Sequence, residues 1–130
     1  TEEEFEATLS LCRKVEFDNA FVFKYSTRRN TPAAGMDVQL PKELIEERHA
    51  KLLAEVDRIG AVRYENQVGE TMQILVEGPS RRNMARMEGR TRCNRIVVFD
   101  GGERFRGQLV DLKIERAGSF TLYGDPAILN

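Results

Sequence analysis

The sequence predicts an α/β segment followed by a small all-β barrel, and three observations carry that prediction. Apolar residues recur at helical spacing in two stretches of the first half, 2–15 and 42–60. Between them Ala20-Phe21-Val22-Phe23 is a continuous apolar run, the pattern of a parallel strand buried on both faces. After Gly60 the period changes to two, in short runs separated by glycine-containing turns. The boundary is expected at about residue 62, which gives segments 1–62 and 63–130.

Each element has its own justification. Thr1 and Glu4 have the spacing of a capping box, and Phe5, Leu9 and Cys12 then fall on one face of a helix over roughly 2–15. Residues 26–41 form a polar loop interrupted by Pro32, Gly35 and Pro41, and Pro41 suits the start of a second helix. That helix aligns Ile45, His49, Leu52, Val56 and Ile59 and is expected to end near Gly60. In the second half, residues 70–78, 94–99, 107–115 and 119–124 alternate as strands, with turns at Gly78-Pro79, Gly101-Gly102 and Gly118-Ser119. Several short strands at this spacing suggest an antiparallel, OB-like barrel.

Composition narrows the function classes. No apolar run approaches the ~18 residues of a membrane span, and the opening TEEEFEATL lacks the basic and apolar regions of a signal peptide. It begins without methionine, as a piece of a longer chain would. Cys12 and Cys93 lie far apart with no metal-ligand spacing, so both are expected as free buried thiols in a cytoplasmic protein, with no metal held.

Charge is distributed unevenly. Residues 1–62 have a net charge of −3 and residues 63–130 a net charge of +2. Between 81 and 95, six arginines (81, 82, 86, 90, 92 and 95) face the single acid Glu88. Such a run can be an ordinary solvated surface. Arginine, however, has a planar fork that suits phosphates and stacks on bases, and its concentration beside a small β-fold is the footprint of a nucleic-acid site. Arg81, Arg82, Arg90, Arg92 and Arg95 are the expected phosphate contacts and Asn94 a polar reader. Phe105, between Arg104 and Arg106, reads as a stacking platform or, more simply, as a barrel residue.

The motifs FDNAFVFKYSTRRNTPAA and LPKELIEERHAKLL resemble the last segment of the radical-SAM catalytic barrel of methylthiotransferases. ILVEGPSRRN, GRTRCNRIVVF and the following alternating run resemble the TRAM domain that closes those proteins, with the MiaB-type tRNA methylthiotransferases the nearest match. The resemblance spans essentially the whole chain. It implies a radical-SAM (TIM-like) barrel fragment over 1–62 and a TRAM RNA-binding domain over 63–130. It also implies a parent transferase of the 2-methylthio-N6-isopentenyladenosine synthase type, which modifies an adenosine beside the tRNA anticodon with two [4Fe-4S] clusters and S-adenosylmethionine. None of the cluster-binding cysteine motifs is present here, so this segment by itself is expected to ligate no cofactor, to contain no catalytic residue and to be inert.

By the same resemblance Tyr25, Ser26 and Arg28, which follow the apolar run, would border the S-adenosylmethionine or adenosine pocket, since active-site loops gather at the carboxyl ends of barrel strands. Read without it, Tyr25 packs, Ser26 caps a turn and Arg28 forms a surface ion pair. Two positions depart from the family pattern. Asn30 stands where glycine is usual but can adopt the same left-handed conformation, and His49 stands at a usual leucine and reads as a packed, hydrogen-bonded residue. The expected partner is the tRNA anticodon stem-loop, with no membrane contact. A barrel strand without neighbours also predicts self-association through residues 1–60. Two other functions fit: a stand-alone RNA-binding TRAM module, or a methylthiotransferase acting on a ribosomal protein.

Overall fold

The computed structural model describes residues 1–125, which divide after Ile59 into two compact units. In the first, helix α1 (Glu2–Val15) opens with the expected capping box: the Thr1 side chain accepts from the Glu4 backbone N–H while the Glu4 carboxylate accepts from the Thr1 amino group at 3.0 Å. Glu2, Glu3 and Glu4 complement the positive helix start, and Arg13 and Lys14 the negative end. Helix α2 (Lys42–Glu65) begins directly after Pro41. Cys12 is buried with Val56 and Ile59, and Ala20, Val22 and Leu52 pack against them.

Two expectations for this half are corrected. The run 20–23 forms no strand. It alternates as a strand would, Ala20 and Val22 packing inward while Phe21 and Phe23 are 84% and 83% exposed with their rings stacked at 6.2 Å. A parallel strand exists only through hydrogen bonds to neighbours on its edges, and among the described residues this segment has none. The second helix does not stop near Gly60. A glycine costs a helix interior only about 1 kcal/mol, and the helix continues to place Tyr64 in the core of the second unit. Asn30 takes the left-handed conformation foreseen for it, with φ of 61°.

The second unit is a closed five-stranded barrel formed by β1 (Thr71–Pro79), β2 (Met87–Arg90), β3 (Ile96–Phe99), β4 (Leu109–Ala117) and β5 (Thr121–Asp125), in the order β1-β2-β3-β5-β4. Four pairings are antiparallel and one, β3 with β5, is parallel, so the barrel is not purely antiparallel. Ile74, Val76, Met87, Val97, Phe99, Val110, Leu112, Ile114 and Leu122 fill its interior, and Phe105 packs against them with its ring edge-on to Phe99.

The strand β2 was not expected: residues 81–95 read as one loop, and MEGR is short, charged and broken by glycine. Its Gly89 is required, because a Cβ there would lie 2.4 Å from the Leu75 carbonyl oxygen. Gly78-Pro79 is not a turn but the end of β1, where one extra residue between Val76 and Gly78 makes a bulge. A second bulge lies in β4, between Ile114 and Arg116.

Candidate nucleic-acid interface

The β4 bulge decides which side chains line the outer barrel face. Val110, Leu112 and Ile114 point inward at every second position, and unbroken alternation would turn Arg116 inward as well. The extra residue resets the phase. Arg116 pairs with Tyr123 while Leu122, its neighbour on β5, is fully buried. The Arg116 guanidinium lies 3.7 Å from the centre of the Tyr123 ring, a cation–π contact on the outer surface.

Register carries this row across the sheet. Tyr123 pairs with Val98 and Val98 with Glu88, so Arg116, Tyr123, Val98 and Glu88 stand side by side on four adjacent strands. A second row, Arg90, Ile96 and Thr121, runs beside it. The β1–β2 loop overhangs this surface. It is closed by the Ser80 N–H donating to the Arg86 carbonyl at 2.8 Å and the Arg86 N–H donating to the Asn83 carbonyl at 3.0 Å. Together they enclose a groove of about 440 Å³ with an apolar floor of Ile96 and Val98, and with half-exposed Phe120 from the β4–β5 turn at its rim. Binding of oligonucleotides on the β2–β3 face and on the loops after β1 and β4 is the habit of five-stranded barrels of this kind.

The structure separates the sequence-predicted cations. Arg81 and Arg82 are exposed on the overhanging loop and make no hydrogen bond or ion pair among the described residues. Arg86 is held by Asp100 at 2.9 Å. Arg90 lines the groove, 3.6 Å from Glu77, and donates through Nη1 to the Asn94 carbonyl. Arg92, Cys93 and Arg95 border a different concavity with Gln67, Gln73 and Asp111, where Arg92 donates to Gln73 Oε1 at 3.2 Å.

Arg95 is only 7% exposed and its guanidinium lies over the Tyr64 ring at 5.6 Å, which leaves it the cation least accessible to an external phosphate. Asn94 has φ of 64° and shapes the turn between β2 and β3. Arg116, Tyr123 and Phe120 went unnoticed in the sequence because the expected strand ended at residue 115, which left Arg116 in the connection, and because the expected interface was confined to the arginine run 81–95. Their signal was present as an arginine and two aromatics flanking the Gly118-Ser119 turn.

In the first unit Tyr25, Ser26 and Arg28 are exposed, with no hydrogen bond or ion pair joining them among the described residues. Arg28 donates only to the Thr27 carbonyl, at 3.5 Å. His49 is the packed, hydrogen-bonded residue that its position suggested, its Nε2 being 3.0 Å from the Val22 carbonyl oxygen. Of the two free cysteines, Cys12 is buried but Cys93 is exposed, contrary to expectation. Among the described residues no three His, Cys, Asp or Glu side chains converge as a metal site would need, so nothing here fits an iron–sulfur cluster. Nor is any described helix long and apolar enough to cross a membrane.

Residues 65–127 match the TRAM domain family. The chain is 44% identical over 126 residues to a tRNA-2-methylthio-N(6)-dimethylallyladenosine synthase from Akkermansia muciniphila, covering 97% of this chain and 28% of that protein. Proteins of the same name match from Methylacidiphilum infernorum, at 41% over 128 residues with 98% and 27% covered, and from Geobacillus thermodenitrificans, at 44% over 127 residues with 98% and 24% covered. The chain thus spans about a quarter of the length of these curated relatives. In sequence it corresponds to a carboxyl-terminal portion of the MiaB-like tRNA methylthiotransferases, and residues 65–127 are its TRAM domain.

Proposed function

We propose that this chain is the RNA-holding portion of a tRNA methylthiotransferase, and that the outer groove of its barrel grips the anticodon stem-loop of the substrate tRNA. The observation that carries this reading is the juxtaposition of two unpaired arginines, Arg81 and Arg82, with an apolar and aromatic surface formed by Val98, Tyr123 and Phe120. Cations at a rim bind phosphates with little regard to sequence, whereas flat apolar surfaces accept unstacked bases, and proteins that read single-stranded RNA combine the two. The names of the relatives supply the substrate class.

The reaction belongs to the parent enzyme. Its iron–sulfur clusters and S-adenosylmethionine would supply the radical chemistry, in the cytoplasm, from parts of the protein that carry the cluster ligands. Residues 1–62 would complete the catalytic barrel, with Tyr25, Ser26 and Arg28 at its substrate side. The outward, uncovered rings of Phe21 and Phe23 support this reading, because that face has the character of a strand surface awaiting cover.

The test is a fluorescence-anisotropy titration of the chain with an anticodon stem-loop across salt concentrations. Each phosphate contact contributes about 0.7–0.9 to the slope of log affinity against log salt. Replacing Arg81 and Arg82 by alanine is expected to weaken binding at low salt and to lower that slope by about 1–2. Both residues are exposed, so the melting temperature should not move. An unchanged slope would remove the groove from the phosphate-binding surface.

A further inference from the structure

The cross-strand row in the groove has a chemistry that phosphate binding does not explain. Glu88 is half-buried at one end of the row, between the cations of the rim, and makes no hydrogen bond or ion pair among the described residues. The groove arginines nearest to it in sequence are already engaged, Arg86 by Asp100 and Arg90 by Glu77. A carboxylate here repels a phosphate, so the centre of the groove disfavours the backbone that Arg81 and Arg82 attract. What it favours is a neutral group rich in N–H donors, because an ionised carboxylate offers acceptors only.

Register sets the distance over which such a group must reach. Glu88 and Tyr123 are two strands apart with Val98 between them, about 10 Å at strand spacing. A planar base stacked on the Arg116–Tyr123 pair and extending over Val98 would turn its free edge to the Glu88 carboxylate. The guanidinium covers one face of the tyrosine ring and presents its own outer face to a base, which arginine planes stack upon.

We propose that the groove is a base-reading pocket for one unstacked guanine, with Glu88 accepting from its Watson–Crick edge and the Arg116–Tyr123 stack holding its plane. Guanine alone among the four bases presents two parallel N–H donors on that edge, N1–H and the N2 amine, which match the two carboxylate oxygens. Adenine and cytosine offer one amine beside an acceptor, and uracil places its N–H between two carbonyls that the carboxylate repels. The proposal rests on the reading of this face as an RNA-binding surface, and it adds the identity of the base.

The experiment compares three short oligoribonucleotides on the full chain by fluorescence anisotropy at one salt concentration: an oligouridylate, the same oligomer with one central guanosine, and the same with one central inosine, which lacks the N2 amine. The guanosine oligomer is expected to bind about tenfold more tightly than the oligouridylate, as a good bidentate base contact allows, with inosine between them. In Glu88→Gln the ratio of guanosine to uridylate affinity should fall to about one.

Equal affinities for the three oligomers in the unaltered chain would overturn the guanine pocket and leave RNA binding standing. A ratio that survives Glu88→Gln would overturn it too. So would loss of all binding by Glu88→Gln with an intact far-UV spectrum, since Glu88 would then hold RNA whatever the base. Failure of every oligomer to bind the unaltered chain, at low salt, would overturn the RNA reading itself.

Discussion

In the barrel every strand is hydrogen-bonded on both edges, while the strand-like run 20–23 has no strand neighbour among the described residues and remains extended coil. Both sequences carry a strand pattern; only one carries its partners. A closed barrel abolishes its edges, so residues 65–125 supply all the pairing they need. A strand of a parallel sheet supplies none of its own. The core follows suit: among the described residues ten buried side chains cluster in the second unit, Tyr64 among them, and three in the cluster of the first.

The sharpest way to break the comparison is to damage each unit at its most characteristic place. Leu112 is fully buried in the barrel, and Leu112→Ala should cost about 2–5 kcal/mol, read as a lower midpoint in chemical denaturation followed by the Tyr64 and Tyr123 fluorescence. In the first unit, replacing Phe21 and Phe23 together by serine should change stability by no more than about 0.5 kcal/mol, as exposed substitutions do. Its effect should appear in sedimentation: the unaltered chain is expected to self-associate through this face and the double variant to be monomeric. A large loss of stability in that variant would mean the rings hold the first unit together.

The smallest expected effect concerns acid. Glu55 accepts from Arg58 Nη2 at 2.8 Å and from Arg13 Nε at 3.0 Å, and these hydrogen bonds, that of Arg58 foremost, hold its carboxyl at about 2 against an ordinary 4.5. Because the folded value is the lower one, the stabilisation is complete above pH 4.5 and is lost as pH falls towards 2. Glu55→Gln should therefore flatten the acid dependence of helical ellipticity in that window, with no corresponding change in the barrel.

The legible parts of this fold were those governed by local rules. The capping box at Thr1 and Glu4 was readable because it concerns one helix turn, and the stripe through Ile45, His49, Leu52, Val56 and Ile59 because burial repeats at helical spacing. The strand β2 was not, since its two inward positions are Met87 and a glycine selected by the nearness of the Leu75 carbonyl, which only the paired strand reveals.

At the candidate interface, the arginine run pointed to the loop that overhangs the groove but could not sort its members. Arg82 and Arg95 are alike in sequence, and only the Tyr64 ring lying beneath Arg95 separates a solvent-facing cation from a packed one. Arg116 and Tyr123 were hidden for a different reason, because the expected strand ended at residue 115, where the bulge shifts phase without leaving a residue type as its mark.

That shift has a consequence for how such a site can change. The groove face owes the direction of Arg116 to the bulge that absorbs one extra residue in β4. Straightening that bulge with Glu115 retained would turn the guanidinium towards Leu112 and Leu122 and strip Tyr123 of its cover, whereas deleting Glu115 would leave Arg116 directly after inward Ile114, in the outward position of strict alternation. A surface of this kind therefore tolerates loss of the extra residue but not loss of the irregularity that accommodates it.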